Sequence, residues 1–469
     1  MENNQKKGLN ISAKCFITAI AVILVLMIAT YLITFFVPGG EYARVENEAG
    51  NMVIDENAEF KTVEGGIPFW KWILSPFLVL GAEGSGTLIA VIVFLLVIGG
   101  VFNSLEKCGL MKYMLDKITF KYGKARYKLM AVIMLFFMAM GAFIGSFEEC
   151  VPMVPIVVAL SLSLGWDKLT GVAMSLLAVG CGFASGICNP FTIGVAQGLA
   201  GLPMFSGAWL RAVAFVLIYA LLLLFVRAHA KKVEKPIEQQ IAAVASFEKD
   251  AKKDKGLICF ISIIGVGLLL ILSSGFIPAL QDYTLIIVAV MFLAAGISSP
   301  LVSGMSFKRL LKTFWDGLVS ILPAVIMLLM ASSIKYTLDE ANVLDTLLHG
   351  AVGMASTMPK WAVVLFIYAI VLVMNFFIGS GSAKAFMLIP LIVPLAQVFN
   401  IPAQLCIVAF AFGDGFSNVL YPTNAALLIS LGLGDVSYGE WFKWTWKFQA
   451  MNLILTSLLL LFGLAVGYC

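Results

Sequence analysis

The chain has 469 residues, of which 61% are hydrophobic and only 12% charged, with a net charge of +4. This balance excludes an ordinary soluble domain and marks an integral membrane protein, and so small a net charge makes no case for nucleic-acid binding. Eight cysteines with no CxxC pair, and two histidines (His229 and His349) that only flank apolar segments, give no disulfide framework, zinc site or cofactor motif.

In chain order, residues 1–14 are polar, with Lys6, Lys7 and Lys14, and are expected to form a cytoplasmic tail. No A-x-A-like site follows, so 15–37 reads as a retained helix. The loop 39–66 carries seven acids against Arg44 and Lys61 and lacks the basic excess of a cytoplasmic loop, which places it outside. Segment 67–82, with Trp70, Lys71 and Trp72, is expected at the interface, and 85–105 crosses inward. The loop 106–128 has seven bases against Glu106 and Asp116, and the positive-inside rule makes it cytoplasmic.

Two apolar legs, 129–145 and 151–164, flank a polar tip. At about 1.5 Å per residue they fall short of the ~30 Å hydrocarbon core. This favours a re-entrant hairpin over two tilted spans, with a tip shielded by protein or lining a watery cavity. Residues 169–199 run outward through a polar interruption, and 209–226 return. The linker 228–255 separates two halves, and 256–274 is a connecting span. After it come an inward span at 283–297, a short basic segment (Lys308, Arg309, Lys312) and an outward span at 318–338. A second hairpin at 361–398, a second broken segment at 405–431 and a last span from 446 follow. Nine spans and two hairpins result, with the amino terminus inside. All nine tryptophans fall at or near segment ends, as an aromatic belt requires.

The halves repeat each other. Ile144-Gly145-Ser146 matches Ile378-Gly379-Ser380, Gly182-Phe183 matches Gly415-Phe416 and Pro190 matches Pro422, at offsets of 234, 233 and 232. The fold class expected is therefore all-α and membrane-embedded, with two inverted repeats over 15–227 and 283–469. Broken apolar segments at matching places in two halves point to a secondary transporter's binding site.

The sharpest chemical feature is Glu148-Glu149 at the first tip. One carboxylate at membrane depth costs about 2.5–3.5 kcal/mol, and adjacent carboxylates repel, so a cation or proton belongs there. The alternative is a tip that reaches bulk water. Only one of the two is expected to face a substrate. The second tip, residues 379–384, offers Ser380, Gly381 and Ser382, whose amides can approach a carboxylate. Its Lys384 either binds a substrate carboxylate or pairs with Asp414 or Glu148. The broken centres contribute Asn189 and Thr192 in the first half, and Asp414, Asn418, Thr423 and Asn424 in the second. Their prolines free backbone carbonyls that can hold a cation or substrate, where a plain kink is the simpler reading.

With these residues in view, the chain resembles the ion transporter superfamily. The strings "IGSFEECVPMVPIVVALSLSLGWD" and "GICNPFTIGVAQ" look like the YfcC/ArcD-type basic amino acid antiporters, relatives of the DcuC-type C4-dicarboxylate carriers. The resemblance, which runs from Ile17 onward, implies a dimerising scaffold domain and an elevator-like transport domain that carries both hairpins. It places substrate contacts on Ser146, Glu148, Glu149, Asn189, Thr192, Ser380, Ser382, Asn418, Thr423 and Asn424. A Na⁺ site would fall near Ser146, Asn189, Ser380 and Asn418, with Na⁺, H⁺ or neither as coupling ion. The two acids at the first tip depart from the Ser-Asn-Thr signature of the dicarboxylate carriers.

Electrostatics points the same way. The deep charges are Glu148, Glu149 and Asp414 against Lys384, net −2. Like charges ~4 Å apart cost about 4 kcal/mol at an effective dielectric of ~20, which would repel a dianion. Arginine, ornithine or lysine fits better, with its cationic end toward Glu148 or Glu149 and its carboxylate toward 380–384. A dicarboxylate or short-chain fatty-acid carrier is the alternative. A Glu-Glu membrane protease would need Arg or His partners that "EECVPM" lacks, so no enzyme activity is expected. The setting expected is the inner membrane of a prokaryote, and the assembly a homodimer.

Overall fold

The computed structural model describes residues 13–46, 52–54, 59–82, 85–145, 147–203, 205–235, 249–274, 283–355 and 358–468. Twenty α-helices occur among them: α1 Ala13–Phe36, α2 Phe69–Leu78, α3 Ser85–Lys107, α4 Leu110–Tyr122, α5 Arg126–Ala139, α6 Val154–Ser163, α7 Lys168–Val172, α8 Ala178–Ser185, α9 Val195–Leu199 and α10 Ala208–Val233. The second half contains α11 Ala251–Ser274, α12 Thr284–Val302, α13 Phe307–Ser320, α14 Leu322–Glu340, α15 Leu344–Ala355, α16 Lys360–Phe377, α17 Gly381–Val398, α18 Ala403–Ser417, α19 Ala425–Leu433 and α20 Tyr438–Ala465.

Among the described residues, eight helical stretches are long and apolar enough to cross a membrane, and α1, α12 and α18 supply shorter apolar helices. Large apolar side chains stand exposed on outer faces, among them Val25, Phe35, Val132, Leu224 and Leu269. Water would penalise each of them at about 25 cal/mol per Å², and lipid does not. The chain is a multi-pass membrane protein. The amphipathic α13 carries exposed Phe307, Leu311, Trp315 and Val319 on one stripe beside Lys308, Arg309 and Lys312, as a helix at the membrane interface does. It is fixed to α3 where Asn103 donates to the Thr313 carbonyl at 2.6 Å.

Loop contacts sort into two sets. In one, Asp167 caps α7 and meets His229 at 2.8 Å, and Lys168 pairs with Asp435 at 2.5 Å. In the same set Arg126 pairs with Glu234 at 2.6 Å and Lys117 with Asp254 at 2.5 Å. Burial would raise the Asp167 carboxyl, but donors from His229 and Thr170 outweigh it and hold the group below its usual range. In the other set, the acidic loop 39–66 forms strands β1 Gly40–Glu41, β2 Arg44–Glu46, β3 Met52–Ile54 and β4 Lys61–Thr62, paired β1 with β4 and β2 with β3, both antiparallel. Arg44 pairs with Asp345 at 2.9 Å, and His349 stacks on Phe60 at 4.1 Å, so this loop sits on α15. The described parts of the basic loop 106–128 and of the linker fall in the first set, and the described parts of the acidic loop 39–66 fall in the second. Residues 1–12 of the amino-terminal tail and 236–248 of the linker lie outside the described residues.

Three stretches differ from the sequence reading. Residues 106–128 are not a plain loop, because Leu110, Tyr113 and Thr119 bury at helical spacing and the lysines between them face outward as α4. The linker narrows, since α10 runs on to Val233 and α11 begins at Ala251. Glu148-Glu149 does not lie in an irregular tip. It begins a 3₁₀ turn, Glu148–Met153, that leads into α6.

The core is a crossing of the two interrupted segments, made possible by missing side chains. A Cβ on Gly415 would overlap the backbone of Ala184, and one on Gly182 would overlap the Met138 carbonyl of the first hairpin. Backbone cannot yield as a side-chain tip can. Gly415→Val is therefore expected to cost about 3 kcal/mol or more, seen as loss of the monodisperse peak in size-exclusion chromatography, whereas Gly439→Ala, in open space, is expected to behave as wild type.

Candidate functional site

The first helical pair begins and ends together. Arg126, at the start of α5, donates to the Leu164 carbonyl at 2.9 Å, just beyond the end of α6. Between these feet the chain turns through a π-helical stretch, Met140–Ile144, and through Gly145, whose φ of +80° suits glycine. The second pair, α16 and α17, has its feet against α15, in the opposite loop set. Its turn ends at Ser380, whose hydroxyl caps α17 by accepting from the Ala383 amide.

The first interrupted segment stops where Gly186 leaves α8 in the left-handed conformation, and it resumes at Pro190. Within the break, the Cys188 amide donates to the Ala142 carbonyl at 3.1 Å, and a Cβ on Gly145 would run into Asn189. The first tip is thus seated on the first break. Asn189 and Thr192 are both fully buried, and the Asn189 Oδ1 accepts from the Thr192 amide at 3.3 Å.

The second break lies between α18 and α19, around Asn418, Thr423 and Asn424. Asn424 caps α19 by accepting from the Leu427 amide at 3.1 Å. Its own amide donates to Asn418 Oδ1 at 3.1 Å. Thr423 is half-buried beside it. The halves interlock here, for a Cβ on Gly381 would lie 2.7 Å from Asp414 Oδ2 and 2.7 Å from Thr192 Cγ2. The second tip therefore covers residues of both breaks. The 3₁₀ turn that bears Glu148 packs on α19, and Glu148 lies within electrostatic range of Asp414.

Of the two readings of Lys384, the ion pair is the one formed. Its Nζ sits 2.5 Å from Asp414 Oδ1 and also bonds Asn375 Oδ1, with Lys384 and Asp414 both fully buried. Glu148 and Glu149 diverge, Glu148 exposed and Glu149 9% exposed. Ser380 is exposed and Ser382 half-buried, and their hydroxyls lie 3.5 Å apart. Ser146 lies outside the described residues.

Two residues escaped the sequence reading. Asn375 is the hub of the second half, its Nδ2 donating to the Asp414 carbonyl (3.0 Å), Ser417 Oγ (2.6 Å) and Asn418 Oδ1 (3.0 Å). It lies three residues before the repeated Ile-Gly-Ser, a position that in the first half is Gly141, and a polar residue in an apolar leg was the available signal. Arg211, fully buried on α10, donates to the carbonyls of Ile187, Phe205 and Ser206. It caps the carbonyl end of the first break, and its place at the mouth of a span hid it among ordinary flanking charges.

The family model for DcuC, the C4-dicarboxylate anaerobic carriers, matches residues 16–465. The chain belongs to this family. YfcC of Escherichia coli (strain K12), provisionally named a basic amino acid antiporter, is 30% identical over 406 residues, 82% of this chain and 79% of the relative. An uncharacterised protein of Haemophilus influenzae is 23% identical over 81% of the chain and 76% of its own length. Among solved structures, Neisseria gonorrhoeae MtrF, described within a class of antimetabolite efflux pumps, aligns at 16% identity over 94% of both chains with a TM-score of 0.46.

Proposed function

We propose that the protein is a secondary transporter that exchanges basic amino acids of the arginine and ornithine type across the inner membrane of a prokaryote. The observation that carries this reading is the charge left where the tips and breaks pack together. Lys384 is spent on Asp414, so the remaining acids of the site, Glu148 and Glu149, favour a cation over a dianion. The substrate's cationic end faces Glu148. Its carboxylate lies at the amino terminus of α17, where Ser380 and Ser382 stand at the positive end of an 18-residue helix. Asn189, Thr192, Asn418, Thr423 and Asn424 line the breaks that close the site.

The hairpins are read as re-entrant and the halves as inverted repeats. Support comes from their feet, which fall in opposite loop sets while the second tip reaches Thr192 beside the break that seats the first tip. The set rich in lysine and arginine is taken as cytoplasmic. Transport proceeds by elevator-like alternating access, with hairpins and breaks moving against a scaffold that forms a homodimer. YfcC's name agrees with this cargo.

The second reading, a C4-dicarboxylate or short-chain fatty-acid carrier coupled to Na⁺ or H⁺, draws on the family's description. Proteoliposomes separate the two. Uptake of labelled arginine into vesicles loaded with ornithine is expected to exceed uptake into empty vesicles at least tenfold, and excess succinate is expected to leave it unchanged. Equal uptake into loaded and empty vesicles would refute exchange, and competition by succinate would favour the second reading.

A further inference from the structure

We infer that Lys384 is a tethered cation, its ammonium filling a site otherwise built for a free monovalent metal ion such as Na⁺. The oxygens around it are preset. Asn375 commits its amide nitrogen to the Asp414 carbonyl, Ser417 Oγ and Asn418 Oδ1, and this turns its Oδ1 toward Lys384 whether or not an ammonium is there. Asp414 adds Oδ1 at 2.5 Å. One more buried oxygen, Asp414 Oδ2, has no hydrogen-bond partner among the described residues and faces Gly381, across which lies the Thr192 methyl, so a side chain at Gly381 would fill the space between them. A carboxylate and an amide oxygen, buried at the meeting of a tip and two breaks, form an oxygen cage of the kind hard cations prefer, and transporters hold such ions at unwound helices. In this chain the ion is covalently attached, so the second tip stays tied to the breaks without an external cation.

The inference does not require that the cargo be arginine, and its test reads ion binding first. Purified full-length wild type and Lys384→Ala are titrated with ²²Na⁺ in a choline background. The variant is expected to bind one more Na⁺ per protomer than wild type, and Lys384→Ala/Asp414→Asn is expected to lose that extra site. NaCl in place of choline chloride is expected to raise the melting temperature of Lys384→Ala alone. Equal Na⁺ binding by wild type and Lys384→Ala, or an extra site that survives in the double variant, would overturn the inference. If Lys384→Ala folds only when prepared in NaCl the inference stands, and if it folds in neither salt the cage does not accept a free ion and the inference fails. Arginine uptake by Lys384→Ala, lost in choline and regained in NaCl, is the functional corollary. Should no variant or wild type move arginine, the proposed cargo fails while the ion-binding result still decides this one.

Discussion

Replacing Glu148 with glutamine is expected to lower arginine uptake at least a hundredfold, and Glu149→Gln to lower it only a few-fold. The asymmetry follows from exposure, since Glu148 is exposed at the start of the 3₁₀ turn while Glu149 is 9% exposed. A charge pair at ~4 Å is worth about 4 kcal/mol at an effective dielectric of ~20, close to a thousandfold in affinity, so a hundredfold loss leaves room for incomplete desolvation. Glutamine keeps the shape and gives up only the charge, so both single variants and the double Glu148→Gln, Glu149→Gln are expected to elute as wild type does. The measurement is labelled arginine uptake in proteoliposomes over a concentration series, where the loss should appear chiefly in KM. Wild-type uptake by the double variant would exclude the proposed pose.

The positions of the tips and breaks were legible because they depend on local chemistry. Proline removes an amide donor, and glycine admits the backbone of Gly145 and Gly186, so the clusters around 145, 186–192 and 418–424 mark interruptions wherever the chain is placed. That the basic loops gather together, apart from the acidic one, was legible for a similar reason, in that lysine and arginine counts belong to the sequence alone. Pairings across the fold were not. Lys384 and Asp414 are 30 residues apart on different helices, and which acid Lys384 meets depends on how α17 lies against α18. Asn375 sits in a leg whose apolar periodicity it breaks only once, and its three acceptors come from the end of α18 and the break after it. The helical character of 106–128 was hidden by its charge, because a loop and a helix with lysines on its outer face carry the same count.

Asp414→Asn is expected to be the most destabilising single change in the site. It leaves the Lys384 ammonium fully buried with no counter-charge, and breaking a buried pair from one side costs about 3–5 kcal/mol. That is a large share of the stability of any domain. The paired variant Lys384→Met, Asp414→Asn removes both charges and is expected to recover most of the loss, since a buried pair replaced by neutral groups is often near break-even. Fluorescence-detected thermal unfolding in detergent of the two single variants and the double variant gives the coupling directly. Additive losses would mean that the two groups do not act as a pair. The two one-sided lesions also differ in what can repair them. Lys384→Ala leaves an anionic cage that a small cation can enter, whereas Asp414→Asn leaves a cation whose missing partner must be an anion, and the Asn375 Oδ1 held beside it would repel one. Added Na⁺ is therefore expected to restore the melting temperature of the first and to leave the second unchanged.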